Sequence, residues 1–263
     1  MTALTALTAL TALTAVPTLT AVASRPVVLG LDEMDALAAH AGVRWPFPLR
    51  VPSVGRLVAE RHALLAAATR ALADRGLADG HGPTGLAAEC VSALRHHRST
   101  IDLVVLRPGS ALGLVALVHR DRALVCRQRG GGRVEVVGVP DTALTDEVVR
   151  GVPEARPAAV MPITVPEAAL SAAPGSLRAA RDAVAAHGGD SGVVDQLVDL
   201  FPDVGGRGQL GVVRNGRPLE LSWVDSPVGR VRVDRGAGWV SVNPLRQKEI
   251  RRVLGEMATI ARA

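Results

Sequence analysis

Tyrosine is absent from this 263-residue chain; phenylalanine occurs twice, tryptophan three times and lysine once. With aromatics at 2% of a chain that is 48% hydrophobic, a core has to be assembled from Val, Leu and Ala. Trp45, Trp223 and Trp239 then read as packing anchors, beside Phe47 and Phe201. The single lysine, Lys248, stands outside any glycine-rich loop, which excludes a Walker-type phosphate loop. Cysteine is nearly missing too. Cys90 and Cys126 share no motif and read as small buried hydrophobes in a reducing cytoplasm, not as a disulfide framework. No run of 18 apolar residues occurs, so no membrane insertion is expected.

Motifs for chemistry are equally scarce. There is no H-E-x-x-H, no paired cysteine and no G-x-S-x-G. His96 and His97 are adjacent, so on a helix they point about 100° apart and do not converge on one ion. Two segments match G-x-G-x-x-G, from Gly80 to Gly85 and from Gly206 to Gly211. A dinucleotide loop needs a strand before it and a helix after it. The first follows a helix and the second leads into a strand, so both read as plain loops. No catalytic residue, metal or cofactor is expected, and the chain reads as a non-enzyme.

The charge balance is +5, and all the basic residues but one are arginine. Those arginines are interleaved with Asp and Glu instead of clustered, which favours a mixed solvated surface over a phosphate-binding patch. An Arg-rich nucleic-acid-binding module is the alternative reading, and sparse aromatics argue against it. Residues 1–25 hold four Leu-Thr-Ala repeats from Leu4 and no charge before Arg25. Without a basic n-region this is a poor secretion signal. It reads as a low-complexity disordered tail or a start site placed too far upstream.

From residue 26 the pattern is regular. Val27–Gly30 reads as a strand, and Asp32–Ala41 as a helix with acids in its first turn. An extended Pro-rich connector follows at Trp45–Pro52, and then a helix capped by Ser53 and stopped at Gly76. A helix near Thr84–His97 precedes strand-like runs at Ile101–Arg107, Ala111–His119, Arg122–Arg129 and Arg133–Val139, an antiparallel meander. Asp141–Arg150 closes the half as a short helix. The plan then repeats. A strand at Pro162–Val165 leads into helices from Pro166 and near 176–187 and 190–200. Strands follow near 209–214, 219–224, 230–235 and 239–242, and a last helix opens at Asn243-Pro244. The chain therefore reads as an α+β protein with a pseudo-twofold antiparallel sheet and helices on either side. Its expected organisation is one domain, 26–263, made of two pseudo-repeats, 26–152 and 160–263.

The C-terminal stretch also resembles a known family. Asp225-Ser226-Pro227-Val228-Gly229-Arg230 between two alternating strands, then Trp239-Val240 and an Asn243-Pro244 helix opening, is similar to the end of the EspG family, the ESX secretion-associated chaperones of actinobacteria. Val27 to Leu37, Trp45-Pro46-Phe47-Pro48-Leu49 and Arg75-Gly76-Leu77 resemble its earlier segments, so the likeness runs over about residues 26–261. Ser226 departs from the threonine usual there, and Pro244-Leu245 from a common Ala-Asp pair. The resemblance implies a quasi-twofold central sheet flanked by two helical bundles. It also implies a cytosolic type VII secretion chaperone that keeps a helical secreted substrate soluble for export. That partner would be a PE/PPE-like heterodimer or a WXG-type protein, with no nucleic acid involved. In the family the central sheet and C-terminal bundle make the contact, which points here to strands 209–242 and the helix from Pro244.

Alternation along the strands supplies candidate contact residues. Arg127, Arg129, Arg133 and Glu135 oppose Leu124, Cys126, Val134 and Val136. Glu220 and Ser222 oppose Leu221 and Trp223, while Arg230, Arg232 and Asp234 oppose Val231 and Val233. An Arg-bearing sheet face with a Trp has the composition of a protein-recognition surface. Glu220, Arg230, Arg232, Trp239, Arg127 and Arg129 are the expected protein-binding residues. Asp225 and Arg230 are also expected to pair across their hairpin.

Overall fold

A computed structural model describes residues 23–172, 176–214 and 217–263. The expected tail falls mostly outside them. Within its last part, Ser24 donates its N–H to the Gly138 carbonyl at 2.7 Å and accepts the Gly138 N–H on Oγ at 2.8 Å.

The first half runs β1 (Val27–Gly30), α1 (Leu31–Ala41), α2 (Val58–Asp74), β2 (Ala78–Asp79), β3 (Gly82–Pro83), α3 (Gly85–His96), β4 (Ser99–Arg107), β5 (Ser110–His119), β6 (Arg122–Arg129), β7 (Arg133–Pro140) and α4 (Leu144–Val149). The second half runs β8 (Ile163–Pro166), α5 (Glu167–Ala172), α6 (Leu177–Ala186), α7 (Val193–Leu200), β9 (Gly206–Arg214), β10 (Arg217–Ser226), β11 (Gly229–Gly236), β12 (Trp239–Pro244) and α8 (Gln247–Arg262). Ten strands form one antiparallel sheet in the order β1-β7-β6-β5-β4-β9-β10-β11-β12-β8. Read outward from the central β4–β9 pair, each half repeats the same order: four meander strands, then the half's own first strand at the edge. That is the pseudo-twofold α+β architecture expected from the sequence.

Helices cover the two faces differently. On one face α4 and α8 lie over the middle of the sheet. There Leu144, Val148, Ile250, Leu254 and Met257 pack on Ile101, Leu103, Val125, Leu210, Leu221 and Trp223. On the other face the helices sit at the two ends. α1 and α3 cover β5, β6, β7 and β1 through Met34, Leu37, Cys90, Leu94, Leu117 and Leu124. α5, α6 and α7 cover β8, β12 and β11 through Ala169, Val184, Leu200, Val165, Val240 and Val231. Burying a Leu- or Val-sized side chain contributes about 1.5–3 kcal/mol, and these three clusters take the place of an aromatic core.

Local rules account for where the elements stop, with two departures from expectation. Ser53 does not cap α2. Its region is drawn into a clamp in which Asp35 accepts from Val54 N–H at 3.0 Å and from Arg61 at 2.8 and 3.1 Å, so the helix begins at Val58. Asn243-Pro244 do not open α8 either. They finish β12, and the helix starts after Arg246, whose N–H is accepted by Glu249 three residues on. Gly229, in contrast, takes the positive φ that glycine favours, at 132°, closing a two-residue turn between Ser226 and its partner. Its position is also tight, since a Cβ there would stand 2.6 Å from the Ala158 backbone.

Candidate partner-binding surface

The strip of sheet between the two end groups of helices is open. On that face β4, β9 and β10 present three cross-strand rows: Asp102–Gly211–Glu220, Val104–Gln209–Ser222 and Leu106–Arg207–Val224. All of these but Asp102 and Gly211, which adjoin it through Glu220, line a trough of about 750 Å³ together with Val233, Asp234 and Arg235 of β11. The wall on the β5 side comes from the Pro-rich connector. The Pro48 carbonyl lies over Gly113, 3.1 Å from where a Cβ would be, so a side chain there would have to push the connector outward. The connector is pinned by Gln128, which accepts the Arg50 N–H at 2.7 Å and donates to the Arg50 carbonyl at 3.1 Å, and by Trp45, whose indole N–H donates to the Met34 carbonyl at 2.8 Å. Nothing in the sequence marked Gln128, which stands between Arg127 and Arg129 near the end of its strand.

The floor is rigid because of what lies beneath it. Trp223 is 1% exposed and its ring crosses Gly208, where a Cβ would come within 2.0 Å of Cζ2. The Arg230 guanidinium stands 5.2 Å from the centre of that ring. Arg230 is 0% exposed and bidentate to Asp225, at 2.6 and 2.9 Å, with a further bond to Gln247 at 3.2 Å.

The expected recognition residues do not share one face. Register pairs Trp223 with Arg232 and Asp225 with Arg230, which puts both arginines on the α4/α8 side. Arg127 is on that side too, buried, with its guanidinium on the Glu147 carbonyl at 2.9 Å and on the Glu147 carboxylate. Arg230 and Arg127 are therefore corrected from surface contacts to internal ion-pair partners. Arg230 does form the expected cross-hairpin pair. Arg129 is exposed at the end of β6, and Arg232 is half-buried and held by Asp234 at 2.7 Å. Glu220 lies in the trough. Trp239 is 41% exposed at the turn beyond Arg235 and meets the His187 ring edge-on at 6.0 Å. α8 covers the face opposite the trough, so the strand and helix contacts expected together are presented on two sides of the sheet.

Electrostatics single out Asp102. Burial pushes its carboxyl above the usual range, and the charge of Glu220 adds to the shift. Glu220 accepts the Ser222 hydroxyl at 2.7 Å. Elsewhere Ser92 and His119 are 3.1 Å apart, and burial foremost, with the nearby Arg120 charge, holds His119 below its ordinary value. No carboxylate completes a triad at that ring among the described residues, and no group of three or more His, Cys, Asp or Glu there is arranged to hold a metal. Neither glycine motif has a dinucleotide context: Gly80–Gly85 spans the β2–β3 turn and Gly206 opens β9. Among the described residues no helix is long and apolar enough to cross a membrane.

Comparison with known proteins agrees with this architecture. A family model described as the EspG family matches residues 30–256. Among solved structures, a similar one is the type VII secretion system chaperone EspG5 of Mycobacterium tuberculosis, determined in complex with a PE25–PPE41 dimer. Its TM-score is 0.60 at 12% identity, over 90% of this chain and 96% of that one. At that identity the likeness is one of fold. No curated protein sequence matches.

Proposed function

The chain belongs to the EspG family, and we propose that it is a cytoplasmic type VII secretion chaperone that holds a helical secreted substrate soluble until export. The observation that carries the reading is the family match over residues 30–256 on a fold whose central strands are left uncovered. A solved relative of the same fold is a chaperone bound to a PE–PPE pair, which makes a PE/PPE-like heterodimer, or a WXG-type protein, the partner proposed here. An apolar helical tip left in water is an aggregation liability, and a partly apolar trough buries it reversibly. Glu220 in the trough and Trp239 at the turn between β11 and β12 are the proposed contacts. Arg232 and Arg129 are proposed as outlying ones for a partner that reaches round the sheet. The proposed organisation is a single domain of two pseudo-repeats, 26–152 and 160–263.

A nucleic-acid role is not favoured by the charges, because Arg61, Arg75, Arg122, Arg181, Arg251 and Arg252 each pair with a carboxylate. The test is purification of the tagged full chain from its native host, with co-purifying proteins identified by mass spectrometry. A small helical secreted pair near equal stoichiometry, lost with Glu220→Lys and Trp239→Ala while the fold persists, is the expected result. Recovery of nucleic acid alone, or of nothing while such cargo is expressed, would overturn the function and leave the family assignment.

A further inference from the structure

The charges of the trough are sorted along the strands. Asp234 is tied to Arg232 and Arg235 to Glu167. Asp102, Glu220 and Arg207 have no opposite-charge partner among the described residues; Glu220 and Arg207 line opposite ends of the floor, and Asp102 adjoins the Glu220 end across Gly211. Asp102 and Glu220 are the two cross-strand neighbours of Gly211, on β4 and β10. Two strand spacings put their backbones about 9–10 Å apart, with no side chain between them. A Cβ on Gly211 would stand 2.9 Å from Asp102 Oδ1, so the Asp102 carboxylate leans over the glycine, on the side of Glu220. Arg207 lies four residues back along β9, between Leu106 and Val224, or about 13 Å away at the rise of a strand. The floor between is Val104, Gln209, Ser222 and Val233.

Resting on the docking reading above, we propose that the trough selects an amphipathic partner helix carrying a cation and an anion about seven residues apart on one face, two turns or about 11 Å along the helix, which the reach of the two side chains extends to the span of the floor. The helix seats its Lys or Arg over Gly211 between Asp102 and Glu220, its apolar stripe on Val104, Val224 and Val233, and its carboxylate at Arg207. While the face is wet, water solvates all three charges. A helix that dries the floor has to replace that water, and one of the wrong charge order leaves buried charges unpaired or opposed. Asp102, already driven toward its neutral form by burial and by Glu220, is the group that gains most from an incoming cation.

The test uses fluorescein-labelled, end-capped 18-residue helices of Ala, Leu and Gln in three versions. The K/E peptide has a Lys pair at one end of the apolar stripe and a Glu pair seven residues on, along the same face; E/E and K/K carry like charges at both ends. Fluorescence anisotropy at low salt is expected to show K/E bound at least tenfold more tightly than E/E by the unaltered chain. Asp102→Asn/Glu220→Gln, isosteric and checked for fold by circular dichroism, should abolish that discrimination, and Arg207→Glu should shift preference from K/E to K/K. Binding of K/E and E/E within twofold of each other, discrimination that survives in Asp102→Asn/Glu220→Gln, or no binding of any peptide overturns the proposal. Cargo capture with no peptide discrimination removes this inference and leaves the chaperone reading; discrimination without cargo capture does the reverse.

Discussion

Arg230 is a charge with no access to water, and its removal is the sharpest test of how the second half of the sheet is held. Alanine there takes away two bonds to Asp225, one to Gln247 and the cation over the Trp223 ring. It also leaves Asp225, whose side chain is 13% exposed, without a counter-charge. Breaking a buried pair by deleting one member costs about 3–5 kcal/mol. For a chain of this size each kcal/mol lowers Tm by about 2–4 °C, so Arg230→Ala should fall by roughly 6–20 °C. Replacing both members by apolar residues of similar bulk, Asp225→Leu with Arg230→Met, should be far milder than the single change, because no orphan charge remains. Thermal melts followed by far-UV circular dichroism, with urea midpoints at constant m, measure both. A single Arg230→Ala within about 1 kcal/mol of the unaltered chain, or a double change worse than the single, would refute the account. It would then put Arg230 back at a solvated surface, where the sequence pattern alone had set it.

Four further outcomes follow from the same geometry. Gly208→Ala drives a methyl into the Trp223 ring with no room on either side. It should cost about 3 kcal/mol, the top of the usual overpacking range, and red-shift tryptophan emission. Gly211→Ala meets only the movable Asp102 carboxylate and should leave the urea midpoint nearly unchanged. Asp35 is held below its ordinary value: burial would raise it, but the bonds from Arg61 and Val54 outweigh burial. Its charge therefore stabilises the fold above the unfolded carboxylate value, and that contribution is lost as pH falls through the lowered one. Asp35→Asn should lose about 1.5–3 kcal/mol at pH 7, and the gap to the unaltered chain should shrink below about pH 4 in urea melts. Asp102 carries the opposite sign. Its raised value means that ionisation costs stability as pH rises through the carboxylate range. Asp102→Asn should accordingly raise Tm at pH 7, with the gain vanishing at acid pH, even as it weakens peptide discrimination in the trough.

Much of the fold was legible because most strands alternate cleanly. The meander β4–β7, the hairpin at Gly229 and the repeat of strand, helices, strands and helix all follow from period-2 patterning and turn residues. The site was harder for a physical reason. Alternation shows which residues of one strand share a side, but not which side its neighbour buries. β10 buries Leu221 and Trp223 against α8, whereas β11 buries Val231 against α5–α7. The apolar phase reverses between adjacent strands, and a face assembled from the polar residues of both strands does not exist. Arg127 misled for a related reason: β6 is covered on both faces, and the partner that neutralises it, Glu147, comes from α4 of the opposite layer. Only register and helix placement, both long-range, settle such cases.

The open strip is a consequence of how the repeat is wired. In each half the helices that follow the first strand return over the outer strands, and the closing helix crosses to the other face near the centre. The two halves meet at β4 and β9, so neither set of end helices reaches the seam. Strict symmetry would leave β5 as bare as β10, its counterpart. It does not, because the connector laid over Gly113 and pinned by Gln128 occupies that position in the first half alone. The uncovered ground is thereby shifted to one side, over β4, β9, β10 and the near edge of β11. An uncovered strip facing water has to stay wettable, which Gln209, Ser222, Glu220 and Arg207 ensure. A strip that must also release water to a partner needs apolar ground between those groups, and Val104, Leu106, Val224 and Val233 supply it. The compromise explains why the floor carries unpaired charges where a packed interior would not tolerate them. It also implies that filling the trough with apolar residues, for example Gln209→Leu with Ser222→Val, should tighten non-specific helix binding and aggregation together. Loss of solubility in that variant, read by light scattering, with no gain in peptide binding would show that the polar rows serve wetting alone.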